Sequence, residues 1–398
     1  MSWKNWSDII KISKNKTIFF YGRSEDWVPK SSKFVSCDYI IDQDTNYLDS
    51  YFLDIPIKPP SFLYEFKKDL LVIITNSDFE NLKNELISKG IKQDYIFFCP
   101  EFRDFQKLIE IRDQEFDILL TSPDFKKGKA TRTSKLGGGL FRALKKNNEL
   151  KIIKIKNGNY RTIRRYDSSY YVINNVDKCL DIFDLKFNHK KKIKLHFASA
   201  TGLAINNNHI YITSSSSDII YKLDFNGKIL EEINFGDMSS SKNLSRYHIN
   251  DIELIENDEL CVSYFSYSGY WKYGIFDGGA SIINLKSKNK SKIYSDLIQP
   301  HTPKYINGNI HICDSFNGHL YESTFGLVSS FPGFIRGLDF SNGKFFVGQS
   351  ETMYMSRKKG LSNNIMCNAG IWILEPESKA TKFIDIDGLC NIHSILKV

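Results

Sequence analysis

Four short phrases in the second half of this 398-residue chain carry side chains that a β-strand does not need: His248-Ile-Asn-Asp251, Gln299-Pro-His-Thr-Pro303, Phe334-Ile-Arg-Gly337 and Asn391-Ile-His393. His248 and His301 are of the type that takes and returns protons near neutral pH. Arg336 is of the type that holds a carboxylate or an enolate-like charge. With Asn250, Asp251, Asp314, Gln349 and Ser350 as polar neighbours, they suit proton abstraction beside a carboxylate or carbonyl, which gives epimerisation or elimination. Three imidazoles, His248, His301 and His393, also read as ligands for a divalent metal ion, with Asn250, Asp251 or Gln349 supplying oxygen. Unligated, the same histidines read as acid–base or hydrogen-bonding groups, and no tight spacing such as His-Glu-x-x-His decides between the two. Arg336 stands just ahead of an apolar strand, so its guanidinium faces either a wet channel and an anion or an internal partner, Asp251 or Asp339. Arg164, Arg165 and Arg357 are read as further anion-binding charge or as solvated loop residues.

These residues lie far apart in the chain and need a scaffold that makes them converge. A repeated phrase supplies it: a polar residue, a short alternating strand, a turn of Asn, Asp and Gly, then a second strand. It reads Thr201-Gly-Leu-Ala-Ile followed by His209-Ile-Tyr-Ile-Thr, and Asn250-Asp-Ile-Glu-Leu followed by Glu259-Leu-Cys-Val-Ser. It returns as Thr302-Pro-Lys-Tyr-Ile with Asn309-Ile-His-Ile-Cys, and as Arg336-Gly-Leu-Asp-Phe with Lys344-Phe-Phe-Val. Such a repeat predicts a β-propeller, whose innermost strands start at one mouth of a central channel. Phrase starts near Thr162, Thr201, Asn250, Thr302, Arg336 and His393 count six blades, five or seven remaining open. The C-terminal strand is expected to close the ring by joining the blade that begins at Phe116, which leaves no free sheet edge. The triple glycine at 137–139 marks a close backbone approach. The aromatic, glycine-hinged loop Tyr264–Gly279, with Tyr267 and Trp271, is read as a wall for sugar rings or as a plug against a neighbouring blade. His189, His196, His209, His311 and His319 are read as surface or edge residues.

Residues 1–103 follow another pattern, that of a small parallel α/β sheet, and 104–115 read as a connecting helix leading into the propeller at 116–398. Lys16-Thr-Ile-Phe-Phe-Tyr-Gly22 is a strand running into a glycine, Cys37-Asp-Tyr-Ile-Ile-Asp42 a second, and Asp69-Leu-Leu-Val-Ile-Ile-Thr75 a third. Ser77 to Gly90 has helix start and stop signals. The strand-to-Gly22 turn, the acidic strand end at Asp42 and Asp44, the Ile57-Lys-Pro-Pro linker and the helix ending Lys89-Gly90-Ile91 resemble the Rossmann-like module attached to bacterial enzymes that modify sugars and surface glycans. Gly22-Arg-Ser-Glu-Asp-Trp supplies one glycine where a pyrophosphate needs several, so no nucleotide cofactor is expected.

Over 116–398, the run from Pro300-His-Thr-Pro through Cys313-Asp-Ser, Pro332-Gly-Phe-Ile-Arg-Gly-Leu, Val347-Gly-Gln-Ser and Gly370-Ile-Trp-Ile-Leu resembles a family of uncharacterised bacterial propeller proteins, some associated with glycan assembly. The architecture is also similar to metal-bearing propellers of the gluconolactonase-like and oligouronide-lyase kinds. These resemblances imply a carbohydrate or sugar-acid substrate and glycan-assembly enzymes as partners, and they direct attention to His301, Asp314, Arg336 and Ser350. The expectation is therefore a mainly β protein, a six-bladed β-propeller after a small α/β Rossmann-like domain, acting as an epimerase or lyase in glycan biosynthesis. A non-catalytic binding scaffold and a metal-dependent lactone or ester hydrolase use the same residues and remain alternatives.

Composition bounds the rest. The formal charge is +8, but acidic residues are interspersed, and the densest basic run, Lys190-Lys191-Lys192, reads as a solvated loop, so nucleic acid is not indicated. The 7 cysteines stand singly, as expected for reduced thiols, and no stretch approaches the length of a membrane span, so the expected location is the cytoplasm.

Overall fold

The computed structural model describes residues 3–66, 69–124, 134–236, 245–256, 258–324, 326–351 and 365–398. The chain divides into two compact units, 1–110 and 111–398, and the division falls inside the helix Phe102–Asp113.

In the first unit, six strands form one sheet in the order Tyr51–Phe52, Ile55–Lys58, Tyr39–Ile41, Thr17–Tyr21, Leu70–Ile74, Ile96–Phe98. Neighbours run parallel except at Tyr51–Phe52, which pairs antiparallel with Ile55–Lys58 as a hairpin. The sheet is thus mixed rather than wholly parallel. Ile57-Lys58 belongs to a strand and not to a linker, because Ile57 pairs with Ile40 across the ladder. Leu70–Ile74 is buried along its whole length, as a central parallel strand covered on both faces must be. The helix Phe79–Ser88 buries Phe79, Leu82 and Leu86 on one face, the apolar spacing legible in its sequence. A helix over Trp6–Ser13, capped by the Asn5 side chain accepting from Asp8 N at 2.9 Å, was not expected from the sequence.

The second unit is a propeller of six four-stranded blades. We number them in chain order. Blade 1 contains Phe116–Ser122, Gly139–Lys146 and Glu149–Asn157, and its innermost strand is Ser394–Lys397 from the other end of the chain. Blades 2 to 6 begin with the inner strands Tyr160–Tyr166, Ala200–Ile205, Ile249–Ile255, Pro300–Ile306 and Phe334–Ser341. The expected closure is present: Ser394 pairs with Thr121 and Lys397 with Ile118, antiparallel. The inner edge of Phe116–Ser122, which would otherwise template association, is paired in this way.

Each junction between neighbouring blades has its own apolar core. Ile118 and Phe141 meet Phe346 and Ile371 between blades 1 and 6, and Ile173 and Leu180 meet Leu203 and Ile212 between blades 2 and 3. A fully buried side chain of this kind contributes roughly 1.5–3 kcal/mol, so the wheel is held mainly by these faces. At the triple glycine, a Cβ on Gly138 would lie 2.2 Å from Asp124 O, the close approach expected there. Two expectations fail. Lys190 to Lys192 lie in the exposed outer strand His189–Lys194 of blade 2, not in a loop. His311 is buried in the second strand of blade 5, its ring packed 5.1 Å from that of Phe345 in blade 6.

The inner strands of blades 2 to 6 share one irregularity. The ladder register slips between Tyr160 and Ile163, Ala200 and Leu203, Ile249 and Ile252, His301 and Lys304, and Ile335 and Leu338. Each slip is a β-bulge, which leaves residues unpaired and re-aims them. Side chains and amides at these bulges stitch the ring. Thr162 Oγ1 donates to Thr201 O (2.7 Å), Thr201 Oγ1 to Asn250 O (2.9 Å), Thr302 N to Asp251 Oδ2 (2.9 Å) and Gly337 N to Thr302 Oγ1 (3.0 Å). Lys397 N donating to Asp339 Oδ2 at 2.7 Å and Asn159 Nδ2 donating to Pro123 O complete the circle.

Gly337 occupies the left-handed region at φ 82°, and a Cβ there would sit 3.1 Å from Ser394 Cα and Ile395 N of the closing strand. Gly337→Ala is expected to destabilise the propeller by about 1–3 kcal/mol, seen in urea denaturation as a lower midpoint with an unchanged slope. An unchanged midpoint would show that closure tolerates the methyl group.

Candidate functional site at the propeller mouth

The lead-in residues to the inner strands and the bulge residues within them converge on one cavity of about 350 Å³ at the end of the channel where the inner strands begin. His248, Asn250, His301 and Arg336 line it, from blades 4, 5 and 6. Arg161 from blade 2 and Asp124 from blade 1 line it too, and neither was singled out from the sequence.

The lead-in position recurs. Ser199, His248 and Gln299 each precede an inner strand directly, each lines the cavity, and each is left-handed, with φ of 56°, 53° and 55°. Left-handed backbone at a non-glycine residue is costly and turns the side chain away from the strand that follows. His393 takes the same place before Ser394. It is only 1% exposed, and neither ring nitrogen has a hydrogen-bond partner among the described residues.

His248 is half-buried between aromatic rings: Trp271 lies 4.3 Å away, centroid to centroid, and Phe265 4.6 Å. Phe265 also reaches His301 at 5.1 Å. His301 Nδ1 is 2.8 Å from Ser315 Oγ, which fixes the plane of its ring. Burial, then the charges of Arg161 and Arg336, lower the pKa of His248 to about 4. His301 and His393 are held well below the ordinary histidine value, first by burial and next by Arg336. At neutral pH the mouth therefore combines two guanidiniums with uncharged imidazoles. Asp124 is the one carboxyl group in the described lining. Burial raises its pKa, and its Oδ2 accepts from Cys390 N at 3.2 Å.

Several residues expected at the site have other work. Asp251 accepts from Thr302 N and lies 3.2 Å from Thr162 Oγ1, tying three blades together. Asp314 accepts from Ile298 N and Asn317 Nδ2, both at 2.8 Å, which shapes the turn into blade 5. Gln349 is fully buried between Trp372 Nε1 (2.9 Å) and Asn368 O (2.8 Å). Ser350 Oγ accepts from Ile392 N at 3.0 Å and anchors the closing segment. Arg164 reaches from blade 2 to Glu253 on the inner strand of blade 4 (2.9 Å), because the bulge at 161–162 resets the alternation and hands the mouth to Arg161. Asp339 pairs with Lys304 at 3.1 Å. Tyr267 is 54% exposed and outside the lining, and Trp271 backs His248, so the aromatic wall of the cavity is Phe265 and Phe334. Arg357 lies outside the described residues.

The donor set does not fit a divalent metal. Among the described residues no three His, Cys, Asp or Glu side chains group as ligands, and the two guanidiniums that depress His248, His301 and His393 would repel a cation at the same place. Among the described residues no helix is long and apolar enough to cross a membrane.

Residues 237–395 match the family profile described as Domain of unknown function (DUF4915). The match spans blades 4 to 6 and the first half of the closing strand, with His248, His301, Arg336 and His393 inside it and Arg161 and Asp124 outside. No curated protein matches the sequence. Among solved structures, the chain is similar to a chain of a nidogen/laminin complex at 8% identity, covering 71% of this chain and 97% of that one with a TM-score of 0.48. It is similar to a protein of unknown function from Bacteroides caccae at 12% identity (70% and 97%, TM-score 0.45). It is also similar to a luciferin-regenerating enzyme at 13% identity (58% and 77%, TM-score 0.44). At such identities and scores, nothing about chemistry carries over.

The uncharged histidines make stability depend on pH. Above 6.5, the ordinary histidine value, neither state holds the proton; between 6.5 and about 4 the unfolded chain binds it and the folded His248 does not. Stability must therefore fall as pH drops through that window, with His301, His311 and His393 shifted in the same direction. Differential scanning fluorimetry is expected to show this fall and a shallower slope for His393→Gln. Parallel slopes would mean that His393 is protonated alike in both states.

Proposed function

We propose that the mouth binds a small sugar acid through its carboxylate and abstracts the proton on the adjacent carbon, giving epimerisation or elimination. The observation that carries this reading is the meeting of two guanidiniums and two neutral imidazoles, from four different blades, in one cavity of about 350 Å³. Arg161 and Arg336 would hold the carboxylate by charge-assisted hydrogen bonds and stabilise the charge that moves onto it as the C–H bond breaks. His248, half-buried and uncharged, would be the base, with His301 as the inner hydrogen-bonding or proton-returning group. The cavity volume suits one small molecule rather than an oligosaccharide chain. A substrate of this kind sits naturally in the supply of modified sugars to glycan-assembly enzymes, which would be the partners.

Binding and base strength are coupled. In the empty mouth the arginines help hold His248 near 4; a bound carboxylate offsets their field and raises its basicity where a proton must be taken. The acid limb of kcat/KM, which reports the free enzyme, is expected near pH 4, and that of kcat, which reports the complex, at higher pH. Coincident limbs would contradict the coupling.

The direct test is deuterium wash-in at the carbon beside the carboxylate, followed by NMR in D2O with glucuronate and galacturonate as probes. Wild type is expected to exchange, and His248→Ala and Arg336→Ala to lose about 10²–10⁴-fold of the rate while remaining folded. Full exchange in His248→Ala, or none with wild type, would overturn the assignment.

A further inference from the structure

We infer that Asp218, on the neighbouring blade 3, is the positioning residue that holds His248 in the mouth; the inference rests on the reading of His248 as the base. His248 keeps a left-handed backbone at φ 53°, a conformation that costs an L-residue roughly 1–2 kcal/mol and persists only where the surroundings over-determine it. Asp218 supplies that determination from both sides. Its Oδ2 accepts from Tyr247 N at 2.8 Å and its Oδ1 from Ile249 N at 3.0 Å, the two amides that bracket His248. The same Oδ1 accepts from Ser245 Oγ at 2.9 Å, and Ser245 Oγ in turn accepts from His248 N at 3.0 Å.

The network extends to the ring. Trp271 Nε1 donates to Ser245 O at 3.3 Å, which sets the indole against the imidazole, and Phe265 N donates to Tyr247 O at 3.0 Å, which sets the second ring beside it. One buried carboxylate thus fixes the backbone on each side of His248 and, through Ser245, the aromatic slot in which the imidazole stands. Asp218 does not line the cavity, so it acts on the chemistry only through His248. In blade 5, by comparison, Asp314 holds the amide of Ile298, ahead of the left-handed Gln299.

Asp218→Asn preserves volume but turns one acceptor into an NH2 group facing a backbone N–H, and Ser245→Ala removes only the hydroxyl's two bonds, the one it donates to Asp218 Oδ1 and the one it accepts from His248 N. Protonated His248 quenches the indole packed on it, so the difference in emission between each protein and its Trp271→Phe form titrates with His248. Wild type is expected to show a midpoint near pH 4 and both variants a midpoint about one unit or more higher, as the released ring regains water. Wash-in with glucuronate should lose at least about tenfold in kcat, with KM changed by less than about threefold, because orientation rather than binding is lost. Folded variants with an unmoved midpoint would overturn the inference, and so would a loss confined to KM. Should Asp218→Asn lose its cooperative melt, Ser245→Ala carries the same test. A midpoint that moves while wild type exchanges no probe would refute the proton-abstraction reading and leave the positioning role standing.

Discussion

Each inner strand from blade 2 to blade 6 has more residues than its neighbour can pair, and that surplus governs both the closure of the ring and the make-up of its mouth. In a regular strand, successive side chains alternate between two faces, and both faces of a propeller blade are filled by the apolar cores of its neighbours. A polar group there would be buried without a partner. The bulge escapes the alternation. In blades 2, 4 and 6 the first unpaired residue, Arg161, Asn250 or Arg336, turns to the cavity, while the second, Thr162, Asp251 or Gly337, bonds an adjoining blade. Cavity lining and ring assembly are thus done by consecutive residues.

Blade 1 follows a different rule because its inner strand comes from the far end of the chain. The ladder of that inner strand with Phe116–Ser122 has no bulge, and its attachment depends on groups supplied by others: Asp339 receives Lys397 N, and Ser350 receives Ile392 N. Of the residues read from the sequence as substrate contacts, Asp251 and Ser350 stand at seams between blades, while Asp314 and Gln349 hold turns and strands within their own blades. Polar groups in such places are hydrogen-bonded because leaving them unmade costs about 1–3 kcal/mol each.

This division explains how much of the molecule was legible. The six phrase starts, near 162, 201, 250, 302, 336 and 393, fall in or directly before the six observed inner strands, since turn residues and apolar alternation mark strand ends in any blade. His248, His301 and Arg336 were recognisable as residues without a place in a core. Arg161 was not, because Tyr160-Arg-Thr-Ile-Arg-Arg read at a period of two gives no reason to prefer it to Arg164; only the bulge, a property of two strands together, makes the choice. Asp218 was invisible for a related reason: it serves a hydroxyl and two amides 27 to 31 positions ahead, on another blade. In the first unit the strands Thr17–Tyr21 and Leu70–Ile74 announced themselves by apolar runs, whereas Pro56, Pro59 and Pro60 concealed the edge hairpin, where proline is tolerated.

The electrostatics of the mouth argue for an anion rather than a cation as its natural occupant. Imidazoles become metal ligands most readily when carboxylates join them and lower the cost of gathering positive charge. Here the described lining has one carboxyl group, and Asp124 is already engaged by the amide of Cys390 at the ring closure. The groups nearest the histidines in charge are guanidiniums, which stay ionised at any pH the fold survives. Such a site stores unfavourable energy whenever an imidazole is protonated, and a bound carboxylate releases it. On the proposed reading, proton uptake by His248 is then most favourable when the substrate's own charge is in place. On the proposed reading, the arginines that attract the anion also weaken the base until the anion offsets them, so neither property can be tuned without the other.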